Sequence, residues 1–293
     1  MKKIKNIIVP TDFSETARNA YKYAKKLAAT IGATVELVHI TEPFIPFPLI
    51  SVELNSVENA DQFNVKAMEE FIYKEEADTD NSHAMTLVEN KIKSKIIRGN
   101  VVESLVEISK NKNTDLMVLG TSGLENIMSK IVGSVSLELS NKAHCPVILV
   151  PPDATWHKIE RMMYSSTYGS AGLKMLKEIT HFARSVQAAI HFVHVENSES
   201  EGEKNVPELL RNRLSLLDSS DKPIGIHTVY NADTLEALKK YAEVNNINLI
   251  VFANKHRSFW QNLIFKSISK NMALSTDVPI MVMHLDDNIK EQL

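Results

Sequence analysis

At 293 residues the chain has room for about two domains of ~150 residues each, and 44% hydrophobic with 24% charged residues is an ordinary globular composition. A formal net charge of -3 leaves no basic footprint for nucleic acid or an anionic membrane surface, and no stretch approaches the ~20 apolar residues of a membrane span. A single cysteine, Cys145, excludes an internal disulfide framework and fits a reducing, cytoplasmic setting.

The chain starts "MKKIKNIIVPTD", where the apolar run Ile7–Val9 is too short for a secretory leader and reads as a first strand. Ser14 can cap a helix carrying Ala17, Ala20, Tyr21, Ala24, Leu27 and Ala28, a stripe with helical period. Val35–Ile40 reads as the second strand, a charged amphipathic helix falls within 60–78, and Lys95–Arg98 reads as the third strand. Val102–Lys110 follows as a helix, with Asn100 placed to cap it and Glu103 suited to its first turn. "DLMVLG" is a fourth strand, Ser134–Asn141 lies on a helix, and "PVILV" is a fifth strand. Alternating strands and helices, with near-continuous apolar strands, predict a parallel sheet covered on both faces, a Rossmann-like doubly wound domain with right-handed crossovers.

The same order then repeats. Residues 4–40 align without a gap on 159–195, at an offset of 159 − 4 = 155, so that Ile4 meets Ile159, Lys22 meets Lys177 and Val38-His39 meets Val193-His194. "TDLMVLG" at 114–120 lies over "INLIVFA" at 247–253, and "CPVILV" over "VPIMVM", now at an offset of 247 − 114 = 133. The first half therefore carries 155 − 133 = 22 extra residues in its middle. This predicts a tandem of two α/β domains, 1–152 and 157–286, divided near "PPDATW" where two prolines follow a strand.

Three of only nine glycines fall in "GTSGLENIMSKIVGSVS": Gly120 at the end of the fourth strand, Gly123 in the loop, and Gly133 before Ser134 at a helix start. Ligands of doubly wound sheets bind beyond the carboxyl ends of the strands, where the strand order reverses. The first strand ends there in Pro10, Thr11 and Asp12, the fourth in Leu119 and Gly120. Unpaired N–H groups and the positive dipole end at a helix start attract phosphate, and Ser134 and Ser136 add hydroxyls. The spacing G-x2-G-x9-G-S is neither a Walker A loop nor a dinucleotide fingerprint. Asp12 is open to a second reading as a cap of the first helix.

With "IIVPTDFSETARNAYKYA", "VELVHI" and "DLMVLGTSGLENIMSKIVGSVS...HCPVILV" in place, the chain resembles the universal stress protein family, well over 1–150 and more weakly over 157–286. The resemblance implies ATP as ligand, with Asp12 near the ribose, Ile40 at the adenine, and Gly120, Gly123, Gly133 and Ser134 around the phosphates. Pro10, Thr11, Leu119, Val135 and Ser136 complete the wall, and a divalent ion, Mg2+ or Mn2+, is expected at the triphosphate. It also implies that each half is a mostly five-stranded parallel sheet and that the halves pair through their fifth strands within one chain, an intramolecular pseudo-dimer; a homodimer of chains is left open. The second copy has Thr167 for Asp12, Ala253 for Gly120, His256 for Gly123 and Lys266 for Gly133, which predicts a single nucleotide per chain. The expected function is an ATP-binding stress-response sensor or regulator rather than a fast enzyme. A slow ATPase or adenylyl-transferring enzyme, and a plain interaction module, are the alternatives.

His39 and His194 recur at one repeat position and read as strand-end histidines satisfied by backbone. Cys145 reads as a small buried hydrophobe, Met162, Met163, Met281 and Met283 as core. The histidines show no metal-ligand spacing. "EPFIPFPLIS" at 42–51 is either a loop packed on its own domain or a lid or docking patch, and the acidic run 69–80 reads as a solvated helix face.

Overall fold

A computed structural model describes residues 3–42, 55–77, 92–121, 133–165, 173–196, 212, 223–253 and 277–284. The first half contains β1 (Asn6–Pro10), α1 (Glu15–Ile31), β2 (Thr34–Thr41), α2 (Asn55–Ala77), β3 (Ile92–Arg98), α3 (Val101–Ser109), β4 (Leu116–Gly120), α4 (Ser134–Lys142) and β5 (Val147–Val150). The second contains β6 (Arg161–Ser165), α5 (Leu173–Val186), β7 (Ala189–Glu196), β8 (Ile224–Tyr230), α6 (Thr234–Val244), β9 (Leu249–Ala253) and β10 (Ile280–Met283). All ten strands form one sheet in the order β3-β2-β1-β4-β5-β10-β9-β6-β7-β8. Each half is thus a five-stranded parallel sheet of Rossmann-like order, and the halves join where β5 and β10 pair antiparallel.

That join is symmetric in the repeat. Met281 faces Ile148, and 281 − 148 = 133 is the offset of the aligned segments, so two equivalent residues meet. Ile280 faces Leu149 and Val282 faces Val147, as a twofold relation through the central pair requires. β5 and β10 are buried throughout, because each is covered on both faces and paired on both edges.

The helices form for local reasons. Ser14 caps α1 by accepting from the Ala17 N–H, and Gly32 closes it at φ 71°, the left-handed conformation that glycine adopts without a Cβ clash. Between the caps, Ala17, Ala20, Tyr21, Ala24, Leu27, Ala28 and Ile31 are buried, the stripe expected from their spacing. Asn100 caps α3, its side-chain oxygen accepting from the Glu103 N–H at 3.1 Å. β3 begins three residues earlier than the sequence suggests, because Ile92, Lys93 and Ser94 pair with Val35, Glu36 and Leu37 although Lys93 and Ser94 are polar. α2 starts at Asn55 rather than 60, and Glu69 and Glu70 lie exposed on it while Met68 and Phe71 turn inward.

One core runs the length of the sheet on the face covered by α1, α2 and α5. It joins Ile7, Val9 and Leu27 of the first half to Tyr164, Phe182 and Met281 of the second. The opposite face carries two separate cores, one per half. Met162, Met163, Met281 and Met283 are all buried. The connection between halves is tied to α1. Asn19 Nδ2 lies 3.0, 3.2 and 2.9 Å from the carbonyl oxygens of Pro151, Pro152 and Ala154, and Tyr23 packs edge-on against Trp156 with centroids 4.8 Å apart. No helix among the described residues is long and apolar enough to cross a membrane.

Candidate functional site

β1 sits between β2 and β4, so the strand order reverses beside it and a crevice opens past the carboxyl ends of β1 and β4. A cavity of about 340 Å3 occupies that place. Of the residues singled out in the sequence, Pro10, Thr11, Asp12, Ile40, Leu119, Gly120, Gly133, Ser134, Val135 and Ser136 all line it. Gly123 lies outside the described residues, as do Thr167, His256, Lys266 and the segment 43–50 that holds most of the proline-rich stretch.

The floor is apolar. Ile40 and Leu119 are buried on the sheet face together with Ile8 and Val38, in one core with Leu105 of α3. Val38 and Ile40 share that face by the two-residue strand period, and Val101 and Leu105 approach it from one face of α3 by the helical i, i+4 spacing. Val38, His39, Val101, Leu105, Ala17 and Ser14 also line the cavity without having been singled out as site residues. The periodicities that placed Ile40 and the helices carried the signal for most of them.

One rim is the N-terminus of α4. Gly133 is its N-cap residue with φ -63° and ψ 155° and offers no side chain. The first-turn N–H groups of a helix have no partner within it, so this rim presents donors and a positive dipole end to the cavity. The rim is fixed to the strand. The Ser136 hydroxyl donates to the Gly120 carbonyl at 2.7 Å, and the Gly133 N–H donates to the Thr121 carbonyl, which brings the two ends of the glycine loop together. Ser136 thus acts first as a tie between α4 and β4, whereas Ser134 is exposed. At Gly120 a Cβ would lie 2.8 Å from the Thr16 carbonyl oxygen, so α1 can pass this close to β4 only because the residue is glycine.

The other rim is the turn after β1. Ser14, not Asp12, is the N-cap of α1; Asp12 Oδ1 instead accepts from the Ser14 N–H at 3.0 Å. That bond orients the exposed Asp12 carboxylate on the cavity wall. Thr11 is buried, its N–H donating to Val38 and its Oγ1 accepting from Phe13. His39 is satisfied by backbone, as its strand-end position suggests, with Nδ1 2.8 Å from the Thr11 carbonyl oxygen. Cys145 lies off the cavity, and burial pushes its thiol up to about 12, far from the thiolate that nucleophilic chemistry needs.

The site thus combines a carboxylate, an apolar floor and a helix N-terminus around one crevice. The sequence model of the universal stress protein family matches residues 3–151. A universal stress protein of Methanocaldococcus jannaschii is 29% identical over 152 residues, covering 50% of this chain and 81% of the relative. One from Thermus aquaticus is 29% identical over 150 residues, 50% of this chain and 98% of the relative. Among solved structures, a universal stress protein from Archaeoglobus fulgidus superposes with a TM-score of 0.62 at 16% identity, covering 97% of both chains. A putative universal stress protein from Pseudomonas aeruginosa gives 0.57 at 13%, with 97% of this chain and 94% of that one covered. These two likenesses bear on the fold, and they span both halves. With the family model matched over half its length, the chain belongs to the universal stress protein family.

Proposed function

We propose that the first half binds ATP in the crevice between β1 and β4, and that the chain serves as a nucleotide-dependent sensor or regulator in a stress response. The observation that carries this reading is the convergence of Asp12, the Ile40–Leu119 floor and the Gly133–Ser136 helix start on one cavity. The apolar floor suits a base, the Asp12 carboxylate accepts hydrogen bonds as a ribose hydroxyl would donate them, and the bare N–H groups of α4 suit phosphate. A cavity of about 340 Å3 is of the size that small-molecule sites take. Where a divalent ion, Mg2+ or Mn2+, accompanies the triphosphate, it would offset phosphate charge, with Asp12 the nearby carboxylate of the described lining.

In this reading residues 1–152 form the nucleotide-binding domain and 157–286 a copy that has lost the glycine pattern and serves as a structural partner. Titration calorimetry on protein freed of copurified nucleotide tests it. One ATP per chain is expected, with the count unchanged in Lys266→Ala; no binding defeats the proposal, and two sites per chain defeat the assignment of the second half.

A further inference from the structure

The turn that presents Asp12 is held from outside itself. Phe13 has φ 65°, in the left-handed region disfavoured for any residue with a Cβ. Its ring lies against the His39 imidazole, centroids 4.3 Å apart, and meets Phe71 of α2 edge-on at 5.8 Å. Phe71 is itself gripped from α1. The Arg18 guanidinium sits 4.4 Å from its ring centroid, and Arg18 Nη1 donates to its carbonyl at 3.2 Å.

His39 also fixes the backbone one residue before Asp12. A carbonyl oxygen only accepts, so the 2.8 Å contact from Nδ1 to Thr11 O requires the hydrogen on Nδ1. The Thr11 N–H donates to the Val38 carbonyl at 2.9 Å, so Thr11 is held to β2 by its amide and by its carbonyl. The next side chain in the chain is the carboxylate on the cavity wall.

We infer that His39 is a positioning residue of the nucleotide crevice: by donating from Nδ1 to Thr11 and stacking on the left-handed Phe13, it sets the turn that aims Asp12. The inference rests on the ATP reading for what Asp12 meets, and on the Thr11 hydrogen bond and the Phe13 contact for how the turn is held. It also gives α2 a task, because Phe71 closes the other side of Phe13.

Two variants separate positioning from packing. His39→Asn keeps a donor at the place of Nδ1 but loses the ring; His39→Leu keeps apolar bulk but loses the donor. Leu is expected to weaken ATP binding about tenfold because the turn is no longer held, with a melting temperature in the absence of nucleotide that falls, as the Thr11 carbonyl loses its donor, but less than in Asn. Asn is expected to stay within about threefold in affinity while melting lower. If affinity instead follows melting temperature, with Asn the weaker binder, His39 is a packing residue and the inference is overturned. Long-range 1H–15N correlation of the natural protein gives a ligand-free reading. The Nδ1–H tautomer of His39 is expected, and the Nε2–H tautomer overturns the latch even if the variants fail to fold. A natural chain that shows Nδ1–H but binds no ATP keeps the latch and removes the nucleotide reading.

Discussion

The two halves share a scaffold and differ at its mouth. β4 and β9 have the same burial pattern, four buried residues and then a half-buried one, and each pairs parallel with two neighbours in the same relative order. Yet the half-buried residue is Gly120 in one and Ala253 in the other. A Cβ at 120 would press on the Thr16 carbonyl, so the first half keeps a close passage between α1 and β4 that alanine would obstruct. Core positions answer to burial and repeat faithfully. Positions at the strand ends answer to what must approach the backbone, and there the copies diverge.

The largest expected effect comes from giving the first half the residue of the second. Gly133 has an extended backbone that any residue adopts, so conformation alone does not demand glycine there, and on the ATP reading a side chain would stand in the path of the phosphates. Gly133→Lys, matching Lys266, should lower ATP affinity at least about a hundredfold, near 3 kcal/mol, while the melting temperature moves by only a few degrees. Affinity retained in this variant, by calorimetry, would mean that lysine serves as a counter-charge and that the copies differ less than their glycines suggest.

The seam offers the next effect. His284, just past β10, donates from Nε2 to the Ser140 carbonyl of α4 at 3.0 Å, while its Nδ1 is buried with no hydrogen-bond partner among the described residues. Burial lowers its pKa to about 4 from an ordinary 6.5. Well above pH 6.5 the ring is neutral folded or unfolded and contributes no pH dependence. As pH falls from 6.5 towards 4 only the unfolded chain takes up the proton readily, so stability drops by as much as about 3 kcal/mol across that window. Denaturant midpoints at pH 7 and pH 4.5 should separate more in the natural chain than in His284→Leu; equal separations would show that the ring charges freely in the fold.

The smallest effect concerns helix ends. Gln187 stands where the first half has Gly32, since 187 − 32 = 155, and it takes the same left-handed turn at φ 59° against 71°. Its side chain is exposed, so Gln187→Gly loses no packing and should stabilise by about 0.5–1 kcal/mol, the left-handed penalty less the greater freedom of unfolded glycine. Unchanged or lower stability by thermal melting would show that the glutamine has another task.

Much of this could be read from residue order. The apolar runs located the central strands, the stripe from Ala17 to Ala28 located α1, and the spacing of Gly120 and Gly133 marked the crevice that Asp12 and Ile40 also line. What could not be read depends on directions of bonds. That His39 Nδ1 reaches Thr11 O, or that Ser136 donates to Gly120 rather than facing solvent, follows from how β1, β2 and α4 are juxtaposed, and no local pattern encodes it. The early start of β3 was hidden because an edge strand with Lys93 and Lys95 lacks the apolar run that marks a buried one, and such lysines suit an edge left open to water.

The pairing of Met281 with Ile148 bears on how the chain diversified. In an assembly of identical chains every substitution enters on both sides of the axis, so a change that spoils one pocket spoils both. Here the partners are tethered by a short connection that Asn19 holds down, so the union needs no encounter between separate molecules and survives dilution. Each substitution then enters once. A change at the mouth of one half therefore leaves the other untouched, as the proposed single nucleotide site would require.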